Sequence, residues 1–327
     1  KPLARCALPR QIAILTEMPR SQIGKVLRRV VREELLAARE VASGAASAAA
    51  SASASAVSAA GAIAERLGEA GARAGRVRAV SVAAAATVRD GSVVQSSVLD
   101  WDRVSLAPLG APGAALLVAN DATCEALAES RRGASHGARA ALHLTVLTGV
   151  GGGLVLDGAP VLGATGLAME VGHLPFGDPR ALCSCGARGC WDTVLGARPL
   201  AARLGADDDS AAGVGAIIAR GAPAHRPAIE AASASLGSGL AGLINVTDPD
   251  VVTLGGIGPL LRAHSPEAFE EALANGLMRC LREDQPRIVV GELGADAALV
   301  GTIEAALDEV ASPAGLAAWA TRGQSDR

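Results

Sequence analysis

Gly172-His173, followed after nine residues by Cys183-Ser184-Cys185-Gly186-Ala187-Arg188-Gly189-Cys190, is the stretch that decides how the rest of the chain is read. Three of the six cysteines crowd into it, while Cys6, Cys124 and Cys280 stand alone. That distribution is not a disulfide framework; with a nearby histidine it reads as a metal site in a reducing, cytoplasmic setting. Zinc takes four N/S ligands at tetrahedral corners, and His173, Cys183, Cys185 and Cys190 supply that number. Gly186 and Gly189 let the chain fold tightly around the ion without a Cβ clash. With every corner filled by protein, the zinc is expected to be structural rather than catalytic. The competing reading is three buried reduced cysteines beside a core histidine.

Outward from this stretch, composition narrows the rest. The 327 residues allow one large domain or two lobes, and half of them are hydrophobic. Tyr is absent and Phe occurs twice, so the core must be built from Val, Leu, Ile and Ala. A net charge of −3 argues against a protein dominated by nucleic-acid binding. No strongly apolar run reaches the roughly 18 residues of a membrane span, so no membrane partner is expected.

Turn and periodicity signals alternate strands with helices, which means an α/β fold. Strands are expected at Val77–Val88, Ser92–Gln95, Ala115–Val118, Leu142–Leu147, Gly153–Leu156, Val251–Leu254 and Ile288–Val290. The Leu142–Leu147 and Gly153–Leu156 strands should flank a glycine loop. Helices are expected at about 62–75, at Ala122–Arg131, through most of 193–245, and at Ala297–Leu307. Residues 41–62 are Ala/Ser/Gly low complexity and read as a linker, with a loose helix as the alternative. Residues 313–327 read as a flexible tail.

Residues 1–40 read as a separate piece. Ile12–Leu15 has the pattern of a short strand, and the run from Ser21 to Arg39 that of a basic helix. That helix is either a solvated amphipathic surface or part of a helix-turn-helix presenting Lys25, Arg28, Arg29 and Arg32. The strings Leu8-Pro9-Arg10, Met18-Pro19-Arg20-Ser21 and Gly24-Lys25-Val26-Leu27-Arg28-Arg29 resemble the C-terminal tail of acyl-CoA ligases over about the first 35 residues. In that family the lysine matching Lys25 assists adenylation. The large AMP-binding domain is missing, so no ligase activity follows.

A second resemblance covers about 63–312. Gly149-Val150-Gly151-Gly152-Gly153, Gly163-Ala164-Thr165-Gly166, Glu170-Val171-Gly172-His173 and the cysteine string come in the order and spacing of ROK proteins (repressors, open reading frames and sugar kinases). Asn120-Asp121-Ala122 and Asp248-Pro249-Asp250-Val251-Val252-Thr253-Leu254-Gly255-Gly256 extend it. The resemblance implies the two-lobed, actin-like (ribonuclease-H-like) ATPase fold, with a first lobe over 63–138, a zinc-bearing second lobe over 139–312, sugar as the ligand, and a homo-oligomer.

It also implies roles. Asp121 matches the kinases' general base, and Asn120, Asp121 and Glu170 match groups that bond sugar hydroxyls. His173 is expected to serve zinc with one ring nitrogen and sugar with the other. Asp192 stands where kinases usually carry a sugar-binding Glu, on an arm one methylene shorter. Thr148, Gly149 and Gly151 match a phosphate loop, and Gly255 and Gly256 the adenosine-side loop. From residues alone, Asn120-Asp121 after a strand is a helix cap, and a glycine hairpin cradles phosphate only in the right setting.

Two departures weigh against phosphoryl transfer. The Asp-x-Gly-Gly-Thr string of the kinases' first phosphate loop, which helps hold magnesium, does not occur in the sequence. Its loss makes the first lobe N-terminally truncated and should leave an open sheet edge. Ala83-Ala84-Ala85-Ala86 replaces a Pro-Gly turn. With the regulator-like Trp191-Asp192-Thr193, these features favour a sugar-responsive transcriptional regulator, or its ligand-binding core. The alternative is an ATP- and magnesium-dependent sugar kinase. DNA would be a partner only through a winged helix, and none is recognisable in this sequence.

Overall fold

A computed structural model describes Gln11–Leu15 and residues 77–96, 98–99 and 101–317. The expected helices over 21–39 and 62–75, the Ala/Ser tract, and the tail beyond 317 lie outside these residues. Chain order gives β1 (Gln11–Leu15), β2 (Ala79–Ala84), β3 (Thr87–Arg89), β4 (Ser92–Ser96), β5 (Trp101–Ser105), β6 (Ala115–Asn120), α1 (Asp121–Arg132), β7 (Ala140–Val146), β8 (Val150–Leu156) and β9 (Ala159–Pro160). There follow α2 (Ala197–Leu204), α3 (Ala211–Arg220), α4 (Arg226–Thr247), β10 (Val251–Gly256), α5 (Gly258–His264), α6 (Pro266–Gly276), α7 (Arg279–Glu283), β11 (Arg287–Val290) and α8 (Ala297–Ala311). No described helix is long and apolar enough to cross a membrane.

The chain divides into two compact units. One takes the described residues up to Cys124 and those from Ala298 onward; the other is Glu125–Ala297. The division falls within α1 and at the start of α8.

In the first unit β2 is the centre of a three-stranded sheet, parallel to β6 and antiparallel to β1. Strand alternation sends Ala79 to one face, where Leu299, Ile303 and Leu307 of α8 cover it. Val80, Val82 and Ala84 face the other way, against Val93, Trp101, Leu106 and Leu109. The expected open edge of this sheet is a misreading. Gln11–Leu15, assigned from sequence to a separate piece, fills it with five paired positions.

The expected single strand Val77–Val88 is also corrected. It breaks at Ala85 and Ala86, because Ser96 Oγ donates to Ala85 O (2.7 Å) and Ala86 N donates back to Ala84 O (2.8 Å). The chain then leaves the main sheet, and β3 joins β4 and β5 in a second one. The middle of that sheet, β4, is the expected strand near Ser92.

The second unit holds a five-stranded sheet in the order β11-β10-β7-β8-β9. β10 is parallel to both neighbours, while β7, β8 and β9 form an antiparallel meander. Leu142, Leu144 and Val146 of β7, with Val252 and Leu254 of β10, pack against α2 to α6 through Leu200, Ile218, Leu236, Leu240 and Phe269. α4 runs 22 residues because Pro227 opens it and apolar side chains return every three or four positions to this core.

The opposite face carries Ala141 and Val251 beneath Ala126 of α1. One turn further along that helix, Glu129 is buried, and its carboxylate accepts N–H groups from Ala134 (2.8 Å), Glu292 (3.1 Å) and Leu293 (2.9 Å). It ties the end of the helix to the loop after β11. Removing it leaves three amides without partners, so Glu129→Ala is expected to cost about 3 kcal/mol. The urea midpoint reads this directly; a wild-type midpoint would mean that water replaces all three bonds.

Candidate functional site

The cysteine string forms a turn closed by Cys183 N donating to Ala187 O (2.8 Å) and Gly186 N to Cys183 O (3.0 Å). Gly186 and Gly189 sit at φ 93° and 74°, in the left-handed region that favours glycine. Their turn brings Cys185 Sγ to 3.6 Å from Cys190 Sγ, and Cys183 Sγ to 3.8 Å from His173 Nδ1. All four ligand atoms lie within 4.8 Å of one another. Metal–sulfur bonds of about 2.3 Å give tetrahedral edges of about 3.8 Å, so this donor set fits one ion. Burial, then the Cys185 and Cys183 thiols, push the Cys190 thiol up to about 12. A cation shared by the three sulfurs would favour their thiolate forms against this shift.

His173 ends the 3-10 turn Val171–His173, for which Glu170 is the N-cap residue. Its Nδ1 faces the thiols, which leaves Nε2 on the far side of the ring. The turn lies flat on β8, where a Cβ at Gly152 would meet Val171 at 2.9 Å. This explains a further difference from the sequence reading. Val150, Gly151 and Gly152, read as loop, extend the expected strand from Gly153 back to Val150, with Gly151, Gly152 and Gly153 paired to Thr145, Leu144 and His143, and only Leu147, Thr148 and Gly149 form the turn. Gly255 and Gly256 end β10 beside Thr145 and Val146.

Asp192 follows Cys190 by two positions, in the 3-10 turn Trp191–Thr193. Its Oδ1 accepts the Val150 N–H at 2.7 Å, and Oδ2 lies 3.9 Å from His173 Nδ1. Burial holds its carboxyl above the usual range, against the lowering pull of that N–H, His173 and Arg198.

In the first unit, Asp121 opens α1 behind β6 and is buried, with Oδ1 accepting Ala122 N at 3.0 Å. Asn120 caps the helix: Oδ1 accepts Thr123 N (3.1 Å), and Nδ2 donates to Ala86 O (3.1 Å). One further donor and one acceptor position of its amide remain for a ligand.

Sequence reasoning missed a buried polar chain. His143 Nδ1 lies 2.8 Å from Thr253 Oγ1, and its Nε2 is 3.0 Å from Glu125 Oε2. The one available signal was Glu125 and Glu129 at four and eight positions past Asp121, a spacing that places all three acids on one helix face. Glu125→Ala strands a buried imidazole nitrogen and is expected to cost about 2 kcal/mol. Chemical denaturation checks this, and a cost below a few tenths would show that the chain contributes nothing.

A meander feeding a parallel pair, with helices packed on it, makes this an α/β protein, and its family and its ROK sugar-kinase neighbours give it the actin-like ATPase fold. The chain belongs to the ROK family, whose family model matches residues 39–309. A glucokinase of Halalkalibacterium halodurans is 31% identical over 211 residues, covering 57% of this chain and 62% of that protein. The chain spans under two thirds of the length of the curated relatives it matches first, down to 36%. Among solved structures, a ROK family glucokinase from Streptomyces griseus in complex with glucose and AMPPNP superposes with a TM-score of 0.62 at 26% identity, over 74% of this chain and 86% of that one. A ROK family transcriptional regulator, a homologue of the E. coli MLC protein, gives 0.60 at 25%, over 74% and 66%. The relatives are mostly named as glucokinases and other sugar kinases, so the comparisons favour the kinase alternative over the regulator preferred from sequence.

Proposed function

We propose that this chain binds a sugar and transfers a phosphoryl group from ATP to one of its hydroxyls. The observation that carries this reading is Asp121, a buried carboxylate at the start of α1, which the resemblance in sequence matches to the kinases' general base. Phosphoryl transfer asks mainly for positioning and charge stabilisation, and a carboxylate accepting the hydroxyl proton meets that need. Asn120, Glu170, His173 and Asp192 are the proposed sugar contacts. Thr148, Gly149, Gly151, Gly255 and Gly256 are the proposed nucleotide contacts, and magnesium would accompany ATP. His173, Cys183, Cys185 and Cys190 would hold a structural zinc, which shapes the segment carrying Glu170 and supplies no step of the reaction.

A second reading, a sugar-responsive regulator, has Trp191-Asp192-Thr193 and the regulator structure in its favour. A coupled ADP-release assay against hexoses and N-acetylhexosamines separates the two. Sugar-dependent turnover is the expected result. Sugar-dependent thermal stabilisation without turnover would reject the kinase and support the sensor.

A further inference from the structure

We propose that Asp192 is a positioning residue that latches the glycine hairpin to the His/Cys metal centre, so that metal occupancy sets the order of the hairpin. The geometry on both sides supports this. Towards the metal, Asp192 is two residues from Cys190, and the intervening backbone has little freedom. Thr193 N and Oγ1 both donate to Cys190 O, at 3.0 and 2.7 Å. Trp191 is fully buried and donates from Nε1 to Ser235 Oγ at 3.0 Å. A ligand that fixes Cys190 therefore fixes the Asp192 carboxylate.

Towards the hairpin, Oδ1 takes the N–H of Val150, the first residue of β8 after the turn. The carboxylate lies in a slot that only glycines leave open. A Cβ on Gly149 would stand 2.7 Å from Oδ1, and one on Gly172, beside the ligand His173, would collide with it. One oxygen thus meets the hairpin while the other faces His173. A charge-assisted bond to a backbone amide is among the stronger hydrogen bonds available to a loop. No comparable side-chain bond to the turn Leu147–Gly149 is found among the described residues.

The latch extends the proposed kinase function, because the hairpin carries the proposed phosphate contacts. Its test does not need turnover. Amide hydrogen exchange at Val150 is measured in the full-length chain with zinc bound and after a chelator has stripped it, with metal loss quantified. In the wild type, stripping is expected to speed exchange at Val150 about ten- to a hundredfold, while amides of β10 keep their protection. Asp192→Ala should show the fast rate with zinc still bound, and stripping should add little more, as coupled perturbations do. Asp192→Asn, which retains a carbonyl acceptor, should restore most of the protection. If Asp192→Ala fails to fold, the wild-type stripping experiment and Asp192→Asn decide the question.

The proposal is overturned if stripping leaves Val150 exchange unchanged, if Asp192→Ala matches the wild type, or if β10 loosens as much as the hairpin. A chain that passes this test but turns over no sugar keeps the latch and loses the kinase. Turnover with an uncoupled hairpin does the reverse.

Discussion

Cys190→Ala is expected to abolish stoichiometric metal binding and to release the segment from Val171 to about Leu195, while the rest of the second unit stays folded. The size of the effect follows from what the ion contributes. In small zinc modules a bound structural zinc is worth about 10–16 kcal/mol of folding free energy. Here the segment between His173 and Cys190 has few other ties. Leu182 is 65% exposed and Phe176 42%, and the turn rests on backbone bonds within itself. Val171, Trp191 and Leu195 enter the core of the second unit from this segment, so its release forfeits their contacts, while Leu142, Leu144, Leu236, Leu240 and Phe269 still pack on one another without it. Local release rather than global unfolding is therefore the expected outcome.

Trp191 gives the optical readout, since it is fully buried and directly follows Cys190. Its emission should shift to the red and its segment should become a protease site. Trp101 belongs to the other unit and Trp319 lies outside the described residues, so the shift is read with both replaced by Phe, which leaves Trp191 as the reporter. Protons compete for the same sulfurs. Because burial raises the Cys190 thiol, its protonated form is favoured, and metal affinity falls as pH falls. Full occupancy and an unshifted spectrum in Cys190→Ala would remove the metal centre from the account of this site.

The metal cluster was legible in the sequence because its ligands lie within 18 positions of one another and the turn between them is built from local glycines. The order of strands and helices was legible for a similar reason: periodicity is a local property. What failed was whatever depended on distant partners. The break at Ala85 depends on Ser96, eleven residues away. His143 meets Thr253 across 110 residues, and Glu129 meets Leu293 across 164. A strand was readable at Ile12–Leu15, but nothing local says that it closes the edge beside β2. Gly151 and Gly152 looked like a loop because the reason for Gly152, the close approach of Val171, belongs to a later segment.

Asp121→Asn is expected to lower sugar-dependent turnover about 10²–10⁴-fold, the range usual for loss of a positioned base, while barely moving the melting temperature. The two readouts separate the two roles open to an aspartate at a helix start. As a first-turn acid beside the Asn120 cap, Asp121 gives the helix start a favourable charge, worth about 0.3–1 kcal/mol at most helix ends. Asn keeps the shape and one acceptor for Ala122 N, so the structural loss should be at the low end. As a base, Asp121 must accept a proton, and the amide cannot. A large fall in turnover beside a small change in stability identifies the base; equal and small changes in both would identify a first-turn acid alone. On the proposed kinase reading, the sequence given carries no Asp-x-Gly-Gly-Thr string, and low wild-type turnover is the expected result, because preorganised charge around the transferred phosphate is usually a large part of the barrier reduction. The comparison must therefore be made at saturating sugar. There, weakened binding no longer contributes, and the ratio of the two rates reports on Asp121 alone.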